Sequence, residues 1–549
     1  MSFSAARGSW DPRARTPRVC TMQSNWAALQ STIKGKGGKK SKGDKGATTA
    51  VRSGAAHDAH DKKHAKKKKR QANDEAPNTT KRSKIVPDPH KGTHEGFSVA
   101  SGDTQPSTVD PLSHGRILDS TSSLSPTRLV ELANQSAVAS FSQSPNALVE
   151  AARLESVSHL CFSFEQLVSP ILGKARWANT FEELMLSHDF QLDPVLPSDD
   201  ATRAFCTDRL SPSSGPITSS GHNPTSDRET ITHAVELIVV AVKRARVAVQ
   251  RARDKANAEK ALPRIIVERI TPQTESTSSK KPPPPKKTKL SLGKAVVEIR
   301  DEHLGKLRVL YAHHHKIDVS ALETEPKEFA EQQQNFYRAA FSCVARVVAA
   351  QGGMHRISGG HHSACHGSVF DVLKYGPLKV EAECFASPLN CRYKTFCSAF
   401  PDVDIEFGSL GSFFEFAPKH GSFQVNPPFE VGLVLRCAKR LNELLQQADE
   451  AGEALSFVVI TPYWPNRDAY EALRKSEFNT NKNPLVIPAN EHGYFEGAQH
   501  TKRAQYKPAS CDTSVLFLQT VQGKGRYRVT DEVLESLRVA FRKVKESSR

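Results

Sequence analysis

Apolar residues recur at regular intervals only in the part of the chain that begins at Asn146. There they lie three or four positions apart, as on the buried face of a helix: Leu148, Ala151, Leu154, Val157 and Leu160. The same spacing returns from about Glu229 to Lys260, from His303 to His314 and from Phe329 to Ala350. The pattern predicts a folded helical region. Two stretches, at about 208–228 and 272–292, break it and are predicted to be disordered insertions.

From about residue 351 the pattern changes to short apolar runs that alternate with helical stretches. The runs predict strands at Lys379–Phe385, Phe423–Val425 and Phe457–Ile460, with helices at Val431–Ala448 and Asp468–Ser476. This alternation is typical of an α/β sheet covered by helices. Ligands of such sheets bind beyond the carboxyl ends of the strands, so the residues that follow the first two strands are candidates for a site.

Residues 1–145 have a different composition, rich in Ser, Lys, Gly, His and Thr. They hold too little apolar surface to offset the entropy lost on ordering, and they are predicted to form a long disordered basic tail. Much of the net charge of +17 lies here, since 17 Lys or Arg residues stand against six Asp or Glu between Ser31 and His90. The basic clusters Lys62–Arg70 and Lys81–Lys84 predict nuclear import, the alternatives being a non-specific RNA tether and a solubilising tail.

Cysteine and histidine usage argues against disulfides and against a metal site. The ten cysteines form no evenly spaced cluster and no apolar signal segment opens the chain, which predicts a reducing compartment. No apolar run reaches the roughly 18 residues of a membrane span. A Gly/Ser-rich loop at 352–367 contains His355, His361, His362, Cys365 and His366. The second ligand pair of a structural zinc site is missing there, so a polar loop is the preferred interpretation.

The segment Asn426-Pro427-Pro428-Phe429 follows the second predicted strand and carries the most specific chemistry. The prolines stiffen the backbone and leave its carbonyls as acceptors, and the Asn426 amide both donates and accepts. Phe429 offers a face on which a flat ring can stack, which contributes about 1–3 kcal/mol in nucleic-acid complexes. Acceptors beside a stacking face suit a planar amine. The alternative is a strand followed by an ordinary Pro-Pro helix start.

This segment stands in a chain that also contains Glu383-Cys384-Phe385-Ala386-Ser387-Pro388-Leu389-Asn390. The combination closely resembles the catalytic domain of the phosphorylated-CTD-interacting-factor family, the cap-specific adenosine N6-methyltransferases of messenger RNA. The resemblance is strong from about Val369 to about Gln519. It implies an α/β protein in which a Rossmann-like methyltransferase core at 351–549 follows an all-helical domain at 146–350.

The resemblance also implies that S-adenosylmethionine binds beside the two segments. The residues expected to contact the cofactor are Glu383, Phe385, Ala386, Ser387, Pro388, Asn390, Asp404 and Asn426. A generic Rossmann methyltransferase has a glycine-rich loop after its first strand, and here Ala386-Ser387-Pro388 replaces it. For the acids Asp402, Asp404 and Glu406, contact with the cofactor and a solvated acidic turn are equally good accounts.

The predicted reaction is direct displacement at the sulfonium methyl group by N6 of an unstacked adenine, with no metal and no covalent nucleophile. The Asn426 side chain and the Pro427 carbonyl would accept hydrogen bonds from N6, and Phe429 would clamp the base. The predicted catalytic residues are therefore Asn426, Pro427, Pro428 and Phe429. Positioning of this kind can remove about 7–11 kcal/mol of a barrier.

The predicted RNA contacts are Phe429, Trp464, Lys243, Arg244 and Arg246. The three cations belong to the predicted helix 229–260, for which a solvated face is the alternative. Trp464, Tyr463 and Tyr494 are candidates for stacking on a ring, although such aromatics more often pack in a core.

The resemblance implies that the substrate is the 2′-O-methyladenosine beside the cap of mRNA. Two alternatives stay open: a DNA-adenine or protein-glutamine methyltransferase with the same motif, and a catalytically silent RNA-binding scaffold. RNA polymerase II is a further partner that the WW domain of the family's animal members implies. Trp10 and Trp26 are too close together for that domain, so no WW domain is expected.

Overall fold

The computed structural model describes residues 125–134, 146–173, 176–186, 193–211, 228–259, 262–270, 285–323, 330–354, 361–481, 483–501 and 506–547. All of them lie within one compact unit. The basic clusters at 62–70 and 81–84, and most of the two predicted insertions, lie outside the described residues. No described helix combines the length and the apolar character of a membrane span.

The first half of the described chain is mainly helical. Its elements are α1 (Pro126–Asn134), α2 (Ala147–Leu172), α3 (Trp177–Leu186), α4 (Asp199–Leu210), α5 (Arg228–Ala258), β1 (Ile266–Ile270), β2 (Lys287–Leu292), β3 (Ala295–Arg300), α6 (Asp301–His315), a 3-10 turn (Val319–Leu322) and α7 (Ala330–Ala350). The helical structure predicted from Asn146 onward and the predicted helices at 229–260, 303–314 and 329–350 are therefore present. Asn146 caps α2 by accepting a hydrogen bond from Leu148 N at 2.9 Å.

The second half alternates strands and helices. Its elements are α8 (Gly367–Tyr375), β4 (Ala382–Ala386), β5 (Phe396–Ser398), α9 (Pro401–Asp404), a 3-10 turn (Ile405–Phe407), β6 (Gly421–Val425), α10 (Val431–Glu450), β7 (Leu455–Pro462), α11 (Asp468–Arg474), β8 (Leu485–Ile487), a 3-10 turn (Ala489–Glu491), β9 (Gly493–Phe495), β10 (Tyr506–Pro508), β11 (Thr513–Gln519), α12 (Val521–Arg526) and α13 (Asp531–Ser547). The predicted α/β class is confirmed.

A six-stranded mixed sheet organises this half, in the order β5-β4-β6-β7-β11-β8. The strands β5, β4, β6 and β7 are parallel, whereas β11 runs antiparallel to both β7 and β8. Helices cover both faces. Along β7, Phe457 and Val459 pack with α10 and α11, while Val458 and Ile460 pack with α8 and α13. Every residue of β6 and β7 is buried for this reason.

The first half is not all-helical, which corrects the expectation drawn from the resemblance. The strands β1, β2 and β3 form a three-stranded antiparallel sheet. Part of the predicted disordered insertion at 272–292 is ordered as well, because β2 occupies Lys287–Leu292. Alternation explains both results, since the buried residues Leu290, Val297 and Ile299 each lie between more exposed neighbours.

The predicted tail also contains an ordered segment, since α1 lies within residues 1–145. Its Leu132 is fully buried in the core beneath α10. The Arg128 guanidinium donates to Glu381 Oε2 and to the His420 carbonyl, each at 2.8 Å. The segment is ordered because Leu132 and Arg128 attach it to the sheet region. Its composition did not reveal these contacts.

A buried ion network joins the helices of the first half to the sheet region. It consists of Glu150, Arg153, Asp193, Arg346 and Asp402. Arg346 of α7 donates to both oxygens of Glu150 at 2.7 Å and to both oxygens of Asp402 at 2.7 and 2.9 Å. Arg153 contacts Glu150 and donates to Asp193. Although burial favours the neutral acid, Arg153 lowers the pKa of Asp193 to about 2.

Replacing Arg346 by Met is predicted to lower the free energy of unfolding by about 3–5 kcal/mol, because Glu150 and Asp402 would lose a buried partner. Urea denaturation at neutral pH measures it. The matched control is Arg203→Met, which removes a guanidinium from an exposed pair with Glu236 and is expected to change the free energy by no more than about 1 kcal/mol. Equal effects of the two variants would contradict the assigned role of the network.

Candidate functional site

Two segments of the predicted site lie at one edge of the sheet. The strands β4 and β6 are parallel neighbours, with Ala382 opposite Phe423 and Glu383 opposite Gln424. Parallel neighbours end at the same edge, so the residues that follow Phe385 and those that follow Val425 lie side by side. The structure therefore brings together the two segments that the sequence singled out.

A cavity of about 160 Å³ lies between these segments. Its apolar wall includes Met185, Val195, Phe385, Phe413, Phe414 and Leu433. Of the predicted cofactor residues, Glu383, Phe385, Ala386, Ser387, Asn390, Asp404 and Asn426 line the cavity, whereas Pro388 does not. Of the predicted catalytic residues, Asn426 and Pro428 line it. The cavity also receives residues from α3 and from the turn before α4, so the helical region closes one side of it.

The orientation of the Asn426 amide is fixed by one hydrogen bond. Its Nδ2 donates to the Ser363 carbonyl at 3.0 Å. Its Oδ1 is buried and has no hydrogen-bond partner among the described residues. Since the nitrogen is held by Ser363, the side chain presents an acceptor to the cavity. The residue is 8% exposed, so an unsatisfied oxygen there is costly until a donor reaches it.

The loop that holds Asn426 is itself anchored to the helical region. The Phe429 N–H donates to the His361 carbonyl at 3.2 Å, so the loop at 361–363 holds both ends of the Asn-Pro-Pro-Phe segment. His361 Nδ1 lies 3.0 Å from Glu182 Oε2 of α3. Although burial opposes protonation of the ring, Glu182 raises the pKa of His361. Contact between His361 and the buried Glu182 carboxyl therefore helps to hold this loop in place.

The predicted cofactor segment after β4 forms a closed turn. Asn390 Oδ1 accepts from the Ser387 N–H at 2.7 Å, and the Ser387 carbonyl accepts from the Cys391 N–H at 2.8 Å. Glu383 Oε1 accepts from the N–H groups of Arg392 and Tyr393 at 2.6 and 2.8 Å. Side-chain oxygens of Asn390 and Glu383 thus bind backbone N–H groups and fix the conformation of this turn, which stands where other Rossmann methyltransferases have a glycine-rich loop.

The three acids after β5 have different environments. Asp402 belongs to the buried ion network, and Glu406 lies 2.9 Å from His315. Asp404 lines the cavity, where neighbouring hydroxyl and thiol groups stabilise its carboxylate. Burial raises the pKa of Asp404 to about 7. Asp404 is therefore the acid of the three that is placed to meet a bound molecule.

Phe429 faces a second cavity rather than the first. This cavity, of about 210 Å³, is lined by Phe429, Tyr494, Lys507 and Cys511 among others. The rings of Phe429 and Tyr494 meet edge to face at 5.5 Å. Ser363 lines both cavities, so they adjoin at the Asn-Pro-Pro-Phe segment. A flat ring stacked on Phe429 would therefore be separated from the first cavity by the Asn-Pro-Pro-Phe segment.

The other predicted RNA contacts lie elsewhere. Trp464 is partly buried against the core around β6 and β7, and Tyr463 contacts the ring of Tyr470 edge to face at 5.5 Å. Lys243 and Arg244 are exposed on α5, whereas Arg246 pairs with Asp199. Trp464 and the three cations are not among the residues that line either cavity.

Several residues of the site were missed in the sequence. Gln424 and Gln351 line the first cavity, and their Oε1 atoms have no hydrogen-bond partner among the described residues. Gln424 carried a usable signal, because it is a polar residue inside an apolar strand and lies two positions before Asn426, on the same face. Glu182 and Ser363 carried none, since only the fold brings them to the motif. No three His, Cys, Asp or Glu side chains in the described segments gather as a metal site requires.

Comparison with known proteins finds a matching family model and similar curated proteins, two of which are from mammals. Residues 306–497 match a family model described as the phosphorylated CTD interacting factor 1 WW domain. Proteins of Homo sapiens and Mus musculus, both named mRNA (2′-O-methyladenosine-N(6)-)-methyltransferase, are 41% and 40% identical to this chain over 178 residues. The matched region is 32% of this chain and 24% of each relative, so the chain spans about a quarter of the length of these relatives.

The expectation that no WW domain would be detected was wrong, because the matched family model is described as that domain. The match does not lie at Trp10 and Trp26, which are outside the described residues. It runs from α6 past β9 and contains a single tryptophan, Trp464, so the two-tryptophan spacing could not have found it. Over residues 306–497 the chain is thus similar to the phosphorylated CTD interacting factor family, and the resemblance found in its sequence is confirmed.

Proposed function

We propose that the protein is an S-adenosylmethionine-dependent mRNA methyltransferase that modifies N6 of the cap-adjacent 2′-O-methyladenosine. The observation that carries the proposal is the Asn426 amide, whose nitrogen is held by Ser363 and whose buried oxygen has no partner among the described residues. An acceptor held in this way suits an exocyclic amine. The printed names of the two curated relatives support the same reaction and substrate.

The first cavity suits the cofactor. Its apolar wall around Phe385, Phe413 and Leu433 would receive the adenine ring. The Asp404 carboxylate and the unsatisfied Oε1 atoms of Gln424 and Gln351 would accept hydrogen bonds from amino and hydroxyl groups. The turn at Ser387–Asn390 and the Rossmann-like order of the parallel strands support a nucleotide-like ligand at this edge. When bound, S-adenosylmethionine supplies an electrophilic methyl group.

The residues of the motif orient the substrate amine. Asn426 Oδ1 and the Pro427 carbonyl accept hydrogen bonds from its N–H groups. These bonds localise the lone pair of the nitrogen and direct it toward the methyl donor in the first cavity. Phe429 stacks on the base from the second cavity. The Pro428 carbonyl already accepts the Glu430 N–H at 2.8 Å, so it stiffens the turn rather than binding the amine. Holding the two groups in line supplies most of the catalysis, of the order of 7–11 kcal/mol.

RNA would reach the site along positive surface. Lys243 and Arg244 are exposed on α5, and Arg246 beside them joins α5 to Asp199 of α4. The turn before α4 contributes Pro194 and Val195 to the first cavity, so this basic surface is connected to the site through α4. Exposed cations of this kind bind phosphate groups without reading sequence.

The partner is therefore proposed to be the capped 5′ end of mRNA, and the place of action the nucleus. Nuclear import is supported by the basic clusters at 62–70 and 81–84. For RNA polymerase II as a partner, the support is the description of the matched family alone.

The direct test is methyl transfer from labelled S-adenosylmethionine to four substrates: capped RNA beginning in A, capped RNA beginning in 2′-O-methyl-A, uncapped RNA and duplex DNA. Transfer to the capped RNAs alone is expected. Transfer to duplex DNA would favour the DNA-adenine alternative. The absence of transfer to every substrate, with RNA binding retained, would favour the silent scaffold.

Asn426→Ala is predicted to lower the rate of methyl transfer by about 100-fold or more, as loss of one preorganised polar group does in other active sites. Its affinity for capped RNA should stay close to that of the wild type, because the basic surface on α5 is unchanged. The matched control is Asn466→Ala at an exposed position after β7, which is expected to keep full activity. Wild-type turnover in Asn426→Ala would refute the role given to its amide.

Lys243→Gln combined with Arg244→Gln is predicted to weaken RNA binding and to reduce its salt dependence. The slope of log K against log salt is negative, and each lost phosphate contact on a single strand reduces its magnitude by about 0.7. The control is Lys439→Gln combined with Lys475→Gln, an equal charge change at exposed positions on and after the helices that cover the sheet. Equal salt slopes for the two double variants would show that α5 does not contact RNA.

A further inference from the structure

A buried lysine of the helical region contacts the turn that follows β4. Lys306 of α6 is 3% exposed. Its Nζ donates to the Leu389 carbonyl at 3.3 Å and to the Cys391 carbonyl. Burial lowers the pKa of Lys306, which shows how unfavourable this place is for a free ammonium group. The two hydrogen bonds that the Lys306 amino group donates to backbone carbonyls of the turn offset part of this cost.

Glu383 holds the same turn from within the sheet. Its Oε1 accepts two backbone N–H groups, those of Arg392 and Tyr393, and its side chain lines the first cavity. The positive charge of Lys306 favours the ionised form of Glu383. An ionised carboxylate is the stronger acceptor for N–H groups. The turn is therefore held on one side by an ammonium group that binds carbonyls and on the other by a carboxylate that binds amides.

We propose that Lys306 is a positioning residue that holds the turn at Ser387–Tyr393 in the conformation that binds the methyl donor. The inference rests on the proposed function, because it assumes that S-adenosylmethionine occupies the first cavity. Lys306 itself does not line that cavity. It acts through the backbone at Leu389 and Cys391 and through the charge of Glu383.

The charge of Glu383 gives the proposal a signature that a purely structural lysine would lack. Burial raises the pKa of Glu383 to about 7. The ionisable groups that interact with its carboxyl are Lys306, Arg392, Tyr393, Cys365, Cys384 and Cys391. Lys306 and Arg392 are the cations of this set and both lower that pKa. Removing Lys306 therefore raises it further, so Glu383 stays protonated to higher pH and the turn is weakly held until the pH rises above the new value.

The test is calorimetric titration of S-adenosylmethionine into wild-type protein and Lys306→Met, at pH 6.5 and 8.5 and below the unfolding temperature of each. Loss of charge-assisted hydrogen bonds of about 1.5–3 kcal/mol predicts a Kd about 10- to 100-fold higher for the variant. The rise should be larger at the lower pH. The Kd for capped RNA should change less than about twofold. The control is Lys439→Met, at an exposed position on α10, which should match the wild type.

The outcomes distinguish failure of the role of Lys306 from failure of the proposed function. If the wild type binds S-adenosylmethionine and folded Lys306→Met binds it equally well at both pH values, the role of Lys306 is refuted. If the wild type does not bind it, the proposed function fails instead. If Lys306→Met does not fold, Lys306→Gln replaces it, because its amide can still donate to one of the two carbonyls. A Kd for Lys306→Gln equal to that of the wild type would likewise refute the inference.

Discussion

The parallel pairing of β4 with β6 is the constraint on which the site depends. Because the two strands run in the same direction and lie side by side, the turn at Ser387–Asn390 and the Asn-Pro-Pro-Phe segment are brought to one edge of the sheet. They are 36 positions apart in the chain. A reversed strand would place them at opposite edges, and a strand inserted between β4 and β6 would move them apart. In either case neither cavity at the motif would have its present walls.

The helical region completes this edge with buried charges. The ion network anchors α9, which carries Asp404, to α2 and α7. Glu182 of α3 holds the loop that orients Asn426, and Lys306 of α6 holds the turn after β4. Each contact places an ion where it has a partner, so loss of either partner is costly. The helical region is therefore part of the site rather than an appended domain.

Most elements of the fold could be predicted from periodicity, because helices such as α2, α5 and α10 bury one regular apolar face. The small sheet β1–β3 could not, since a basic, proline-rich run precedes β2, and neither could α1, a short helix between Ser-rich segments. Within the site, Asn426, Phe385 and Asp404 were found through the motifs. Glu182, Ser363 and Lys306 were not, because their roles arise from contacts between residues far apart in sequence, which no local pattern encodes.

The role of the Asn-Pro-Pro-Phe segment can be tested by a crystal structure with S-adenosylhomocysteine, the product left after methyl transfer. The ligand is expected to fill the cavity between Phe385–Asn390 and Asn426–Pro428, with Asn426 Nδ2 still donating to the Ser363 carbonyl and Oδ1 directed at the cavity. A ligand bound elsewhere on the protein, or an Asn426 amide turned so that its oxygen faces away from the ligand, would contradict it.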